Sequence, residues 1–247
     1  MTTYQISSSE ASSLPTEPSP SLQARIEADV AAVRGEIAAA CATAGRDASE
    51  VRLVAVSKTV GAAEVAAARA VGVSDFGENR AAQFVEKQAI YPQARWHFIG
   101  RIQTNKLKQI VGRAALIHSV ASERALQAIG AQAQRLGVVQ ELLIEINVSG
   151  EASKDGVSPT AAGELLKRAS ELQGVFVRGL MTMAPQGDAR AAAATFAGLR
   201  ELRERLAGGG TASNVCLSVL SMGMSEDFPA AIANGATLVR IGRRIWQ

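Results

Sequence analysis

The chain has 247 residues, 47% of them hydrophobic, and a formal net charge of +3. That length suits a single α/β barrel, and the small charge is scattered over helical stretches, which argues against a nucleic-acid-binding stripe. Two cysteines in unrelated contexts, Cys41 and Cys216, exclude a disulfide scaffold and a cysteine-based metal site, and no apolar run reaches the length of a membrane span.

Residues 1–20 are rich in Ser, Thr, Glu and Pro. They lack the basic start and apolar run of a secretory signal and the arginines of a transit peptide. A disordered tail and a cytoplasmic protein are the expectation. From residue 21 to 247 the pattern predicts one domain. Leu22, Ile26, Val30, Val33 and Ile37 recur at helical spacing, and Gly45 suits the end of that helix. Eight short apolar runs follow: "VRLVAVS", "GVSDFG", "ARWHFIG", "AALIHSV", "ELLIEINV", "VFVRGLM", "VCLSVLS" and "ATLVRIG". Helix-favouring, often alanine-rich sequence separates them. Strand–helix alternation predicts parallel strands with right-handed crossovers, and eight repeats predict a closed (β/α)8 TIM barrel. An open doubly wound sheet would carry a glycine fingerprint after its first strand, whereas "SKTVGAAEV" has none. The helix ahead of the first strand is expected to plug or flank the amino-terminal face.

Such barrels carry their chemistry at the carboxyl ends of the strands. Those positions hold Lys58, Glu78 with Asn79, His97 with Gly100, His118 with Ser119, Asn147, Met181 with Thr182, Ser221, and Arg240 with Gly242. Lys58 is one of six lysines and the one that closes an apolar strand. It is either a structural lysine reaching for solvent or an amine that condenses with a carbonyl, helped by burial in the barrel mouth. Loops after the seventh and eighth strands commonly bind phosphate. Here they offer Ser221, Gly223, Ser225 as a helix cap with Glu226 and Asp227 behind it, and Gly242, where a phosphate can approach backbone amides. A lysine on one side and a phosphate cradle on the other suit pyridoxal 5'-phosphate (PLP), an aldehyde bearing a phosphate. Arg240, alone in "TLVRIG", either closes the barrel end against a carboxylate or donates to the ring nitrogen. A guanidinium there keeps that nitrogen unprotonated and weakens the ring as an electron sink.

"LVAVSKT", "FGENRAAQFVEK", "WHFIGRIQTNK", "INVSGEASKDG", "RGLMTMAP", "LSMGMSEDF" and "VRIG" occur in this order, and through them the chain resembles the pyridoxal phosphate homeostasis proteins (the YggS/PROSC group), relatives of the alanine racemase barrel domain. The resemblance implies a single PLP-binding barrel of fold type III. It implies Lys58 as the Schiff-base (aldimine) lysine, Arg240 facing the pyridine nitrogen, and Ser221 with the backbone at Gly242 holding phosphate. It further implies Asn79 lining the pocket and Met222 in the phosphate-side loop. His97, Asn105, Lys106 and Lys154 match motif positions without an assigned role. Arg243 stands where the family often has threonine, so a hydroxyl contact to phosphate is exchanged for a guanidinium, and the ending is "IWQ" rather than "IFG".

A racemase needs a second acid/base opposite the lysine, supplied in alanine racemases, as the resemblance implies, by a tyrosine of another domain and subunit. This chain has only Tyr4, in the tail, and Tyr91, before Pro92; His97 and His118 are the alternatives, although strand histidines are more often packed. The expectation is therefore a monomeric PLP carrier or regulator acting in vitamin B6 and amino-acid or 2-oxo-acid homeostasis, with apo-PLP enzymes as acceptors. A weak racemase is the second reading. A cofactor-free aldolase is the third, and it leaves the phosphate cradle unexplained.

Overall fold

Ser19 opens the first helix. Its hydroxyl accepts from the Leu22 amide at 3.2 Å, and Pro20 takes the first helical position, where its missing N–H is not needed. The computed structural model describes residues 17–208 and 212–247. Most of the expected tail, residues 1–16, lies outside them. Helix α1 runs Pro20–Thr43 and buries Ile26, Val30, Val33, Ile37 and Cys41 along one face. Each such side chain taken from water contributes roughly 1.5–3 kcal/mol.

The eight strands are β1 (Arg52–Val56), β2 (Asp75–Glu78), β3 (Arg95–Phe98), β4 (Leu116–Val120), β5 (Gln140–Glu145), β6 (Val175–Met181), β7 (Val215–Ser221) and β8 (Leu238–Ile241). They close into a barrel in sequence order, each neighbour parallel, with β1 pairing β8 in the register Val54 to Arg240. Helices α2 (Ala62–Ala70), α3 (Ala81–Ile90), α4 (Leu107–Ile110), α5 (Glu123–Leu136), α6 (Ala162–Ser170), α7 (Ala189–Gly208), α8 (Phe228–Ala233) and α9 (Arg243–Trp246) follow the strands in turn.

Helix α9 is only four residues long, too short to cover β8. Helix α1 packs against α8, α2 and α9 and so stands where an eighth outer helix would stand. It therefore flanks the side of the barrel and does not plug its amino-terminal face.

Two sets of apolar side chains result from strand alternation. The larger set, including Phe76, Phe84, Trp96, Ile117, Phe196 and Phe228, lies mainly between sheet and helices. The smaller one, Val54, Leu116, Leu143, Met181 and Leu238 with Val219 against them, fills part of the bore. The rest of the bore is polar: Asp75, His97, His118, Ser221 and Arg240 are all buried and hydrogen-bonded to one another in sequence. No helix among the described residues is long and apolar enough to cross a membrane, and none of their His, Cys, Asp and Glu side chains cluster as a metal site.

Candidate functional site

Because every strand is parallel, all carboxyl ends open on one face. That places the loops bearing Lys58, Asn79, Gly100, Asn147, Thr182, Met222 and Gly242 around a single mouth.

Lys58 sits in a turn just beyond β1, and that turn is held rigidly. The Ser57 amide donates to Gly77 O at 2.9 Å, and its carbonyl accepts from Val60 N and from Lys87 Nζ. Its hydroxyl donates to Glu78 Oε1 at 2.8 Å, and Lys87 pairs with that same carboxylate oxygen. Ser57, Glu78 and Lys87 are all buried. The sequence motif contained Glu78 and Lys87 but gave no sign of this pairing. Lys58 itself is exposed, and its amine meets no partner among the described residues. The protein alone does not provide the burial expected for it.

Asn79 is half-buried at the end of β2, and its Oδ1 is buried with no hydrogen-bond partner. Its carbonyl lies so close to Gly100 that a Cβ there would come within 2.0 Å of it, so only glycine permits β2 and β3 to approach at the mouth.

Arg240 points into the bore. Its Nη1 donates to Ser221 Oγ at 2.6 Å and its Nη2 to Thr182 O at 3.0 Å. Three of its five N–H groups remain beyond these two bonds. No carboxylate among the described residues lies within ion-pair distance of it, which sets aside the barrel-end ion pair. Burial lowers the guanidinium to about 10, with Glu145 and Asp227 acting in the opposite sense. It stays a cation at neutral pH.

Ser221 is fully buried, and its Oγ is shared between Arg240 and His118 Nδ1 at 2.9 Å. The hydroxyl expected to reach phosphate is thus occupied below the mouth. Met222 points the other way, into the core outside the barrel, and its amide donates to Leu238 O at 3.1 Å. The helix after β7 starts at Phe228, later than the cap expected at Ser225. Instead Asp227 Oδ1 accepts from the Met224 amide at 2.6 Å and fixes the loop. The Gly242 amide finds no acceptor among the described residues. The lack of a side chain at Gly242 has a packing reason as well, since a Cβ there would lie 3.2 Å from Val56 O. Arg243 is turned outward to Glu226 in an exposed pair.

Of the remaining motif residues, Asn105 and Lys106 lie exposed in a 3-10 turn, Thr104–Lys106. Lys154 pairs with Glu151 at 2.7 Å within the loop after β5. His97 and His118 are both fully buried and bonded to each other, so neither opens on the mouth.

Glu145, the last residue of β5, escaped the sequence reading. It is 6% exposed, and burial together with nearby Asp155 raises its carboxyl to about 7 against the pull of Arg240 and Arg101. The signal was present: it is the lone acid in the apolar stretch "LLIEINV".

An exposed amine, a buried permanent donor, an unpaired amide oxygen and a free backbone amide around one mouth suit a small, flat, anionic carbonyl compound. The barrel is the class of domain that these features define, and residues 29–246 match the family "Alanine racemase, N-terminal domain". The chain is 42% identical over 209 residues to the pyridoxal phosphate homeostasis protein of Aquifex aeolicus, covering 82% of this chain and 89% of that one. It is 40% identical over 224 residues to the protein of that name from Pseudomonas aeruginosa, covering 90% and 94%. Among solved structures, PipY of Synechococcus elongatus with PLP bound superposes with a TM-score of 0.78 at 33% identity, over 90% of this chain and 100% of PipY. The chain belongs to the pyridoxal phosphate homeostasis protein family.

Proposed function

We propose that this protein holds pyridoxal 5'-phosphate in the barrel mouth, attached covalently to Lys58, and acts as a carrier or regulator of the cofactor rather than as a turnover enzyme. The observation that carries the reading is that Lys58, in the turn just beyond β1, and Arg240, on the neighbouring strand β8, face one mouth, one exposed and unpartnered, the other buried and charged. The names of its relatives and the PLP-bound PipY support it.

The residues fit the group. Lys58 supplies the amine for an aldehyde. The spare N–H groups of Arg240 would meet a ring nitrogen as donors, Asn79 Oδ1 is an acceptor awaiting a donor, and the Gly242 amide with those of Gly223 and Ser225 would receive phosphate, the Met222 and Met224 amides being taken by Leu238 O and Asp227 Oδ1. When bound, the cofactor supplies an electrophilic carbonyl and an electron-poor ring. Arg240, donating to that ring, would keep its nitrogen without a proton.

The carrier reading rests on what surrounds Lys58. Both histidines are enclosed, and the Tyr91 hydroxyl donates to Ala62 O at 2.9 Å. Tyr4 lies outside the described residues. A second reading, a slow PLP enzyme, has Glu145 in its favour, since a carboxyl near 7 can exchange a proton at neutral pH. In the carrier reading the protein is a cytoplasmic monomer that passes PLP to apo-enzymes.

Borohydride reduction of the PLP-loaded protein, followed by peptide mapping, should place the pyridoxyl mass on Lys58, and Lys58→Ala should lose it. A pyridoxyl group found elsewhere in the wild-type protein overturns the assignment. Incubation with L-alanine should give negligible racemisation; turnover at an ordinary enzymatic rate, on the order of 1 to 1,000 per second, defeats the carrier reading and directs attention to Glu145.

A further inference from the structure

A continuous line of hydrogen bonds rises through the bore and ends on Arg240. Asp75 Oδ1 meets His97 Nε2 at 2.9 Å, His97 Nδ1 meets His118 Nε2 at 2.9 Å, and His118 Nδ1 meets Ser221 Oγ at 2.9 Å. Arg240 Nη1 then donates to Ser221 Oγ at 2.6 Å. Asp75 is the first residue of β2 and Ser221 the last of β7, so the line runs from the amino-terminal face to the mouth and crosses the bore between β4 and β7.

The chemistry at the foot fixes the direction of every link. Burial pushes the Asp75 carboxyl up, but hydrogen bonds from His97 and Ser74 and the charge of Arg52 outweigh it and hold the group near 2, so it only accepts. His97 Nε2 must therefore carry a proton. Burial keeps both histidines neutral. A neutral imidazole has one N–H, so His97 Nδ1 is an acceptor, His118 Nε2 carries its proton, and His118 Nδ1 is an acceptor in turn. Ser221 then donates to His118 and accepts from Arg240. The opposite direction would set a bare His97 nitrogen against a carboxylate.

We propose that Asp75, His97 and His118 are positioning residues for Arg240: a carboxylate at the far end of the barrel commits the Ser221 proton inward, so that Ser221 serves as an acceptor anchoring Arg240 and not as a donor to phosphate. The role assigned to Arg240 rests on the cofactor reading above; the direction of the line does not. The line also accounts for a polar bore where such barrels ordinarily pack branched apolar side chains.

The chain has two histidines, which makes the direction measurable. In the full-length protein without cofactor, labelled with 15N-histidine, long-range 1H–15N spectra at pH 7 should show two neutral rings, both protonated on Nε2. Either ring found cationic or protonated on Nδ1 overturns the proposal. Asp75→Ala removes the acceptor. Arg52 and Arg95, which it leaves unpaired, are each about half exposed and can turn to solvent. Asp75→Asn keeps an acceptor oxygen. We expect Asp75→Ala to redistribute the histidine protons and weaken PLP binding by about tenfold or more, the equivalent of one hydrogen bond to a charged group. Asp75→Asn should retain both tautomers and lie within about threefold of the wild-type affinity, well under the roughly 1.4 kcal/mol that a tenfold change represents. A folded Asp75→Ala with wild-type tautomers and affinity refutes the positioning role, as does an Asp75→Asn that fails to restore them. A wild-type protein that binds no PLP yet shows both Nε2 tautomers would sink the cofactor reading and leave the direction of the line standing.

Discussion

Replacing Glu145 with glutamine should make the protein more stable at alkaline pH and change little near pH 4.5. The carboxyl ordinarily titrates at 4.5, and in the folded chain burial raises it to about 7. Between those values the folded protein holds a proton that the unfolded chain has released. Stability contributed by this group is fully present below 4.5 and declines as pH rises through about 7. A gap of about 2.5 units corresponds to roughly 3 kcal/mol at 1.36 kcal/mol per unit. Glutamine has no proton to lose, so Glu145→Gln should gain about 3 kcal/mol over wild type at pH 8.

The two buried histidines act in the opposite sense. Burial lowers both, so below their ordinary 6.5 the unfolded chain takes up protons that the folded chain does not, and stability falls as pH falls. The wild-type profile alone mixes these effects. The difference between variant and wild type cancels the histidines and isolates Glu145. Urea denaturation of the cofactor-free protein between pH 5 and 8 gives that difference, followed by the fluorescence of buried Trp96 and Trp246. A difference that does not grow with pH, or a variant less stable than wild type at pH 8, would refute the assignment of a raised carboxyl to Glu145.

Lys87→Ala should destabilise the protein by about 3–5 kcal/mol, because it leaves the Glu78 carboxylate buried without its cation; a Lys87→Met, Glu78→Gln double variant should recover part of the loss in the same denaturation assay. Gly100→Ala forces a Cβ against the Asn79 carbonyl, so it should weaken PLP binding measurably by fluorescence titration even where the barrel still folds. Arg240→Leu should cost roughly 1.5–3 kcal/mol of PLP affinity, the range for a hydrogen bond to a charged group, and an unchanged affinity would remove Arg240 from the site. Arg243→Ala breaks only an exposed pair with Glu226 and should alter stability by less than about 1 kcal/mol.

What could be read from the chain alone follows from how far each interaction reaches. The eight strands were legible because an apolar run and the helix that follows it are local patterns. The mouth was legible because strand ends are local too: alternation carries Val54 and Val56 to one side of β1 and Leu238 and Arg240 to one side of β8, and Lys58 and Gly242 follow just beyond those strands. The same alternation sends Met222 outward immediately after Ser221, a distinction that a motif match does not make.

The polar bore was not legible, because its links join residues 21, 22 and 103 positions apart. Two kinds of member, seen singly, had an ordinary explanation, a packed histidine and a phosphate-binding serine, and Asp75 drew no reading at all. Barrel closure assembles them, and once assembled they reassign one another. In the direction proposed above, His118 takes the Ser221 proton, so that Ser221 anchors Arg240 and is not free to donate to phosphate. Glu78 and Lys87 are the counterpart outside the barrel, nine residues apart on a strand and the next helix, where neither charge looks buried until the two elements pack. Position along a strand can nominate a functional side chain. The hydrogen-bond partners that closure brings to it decide which of its donors and acceptors remain free to act.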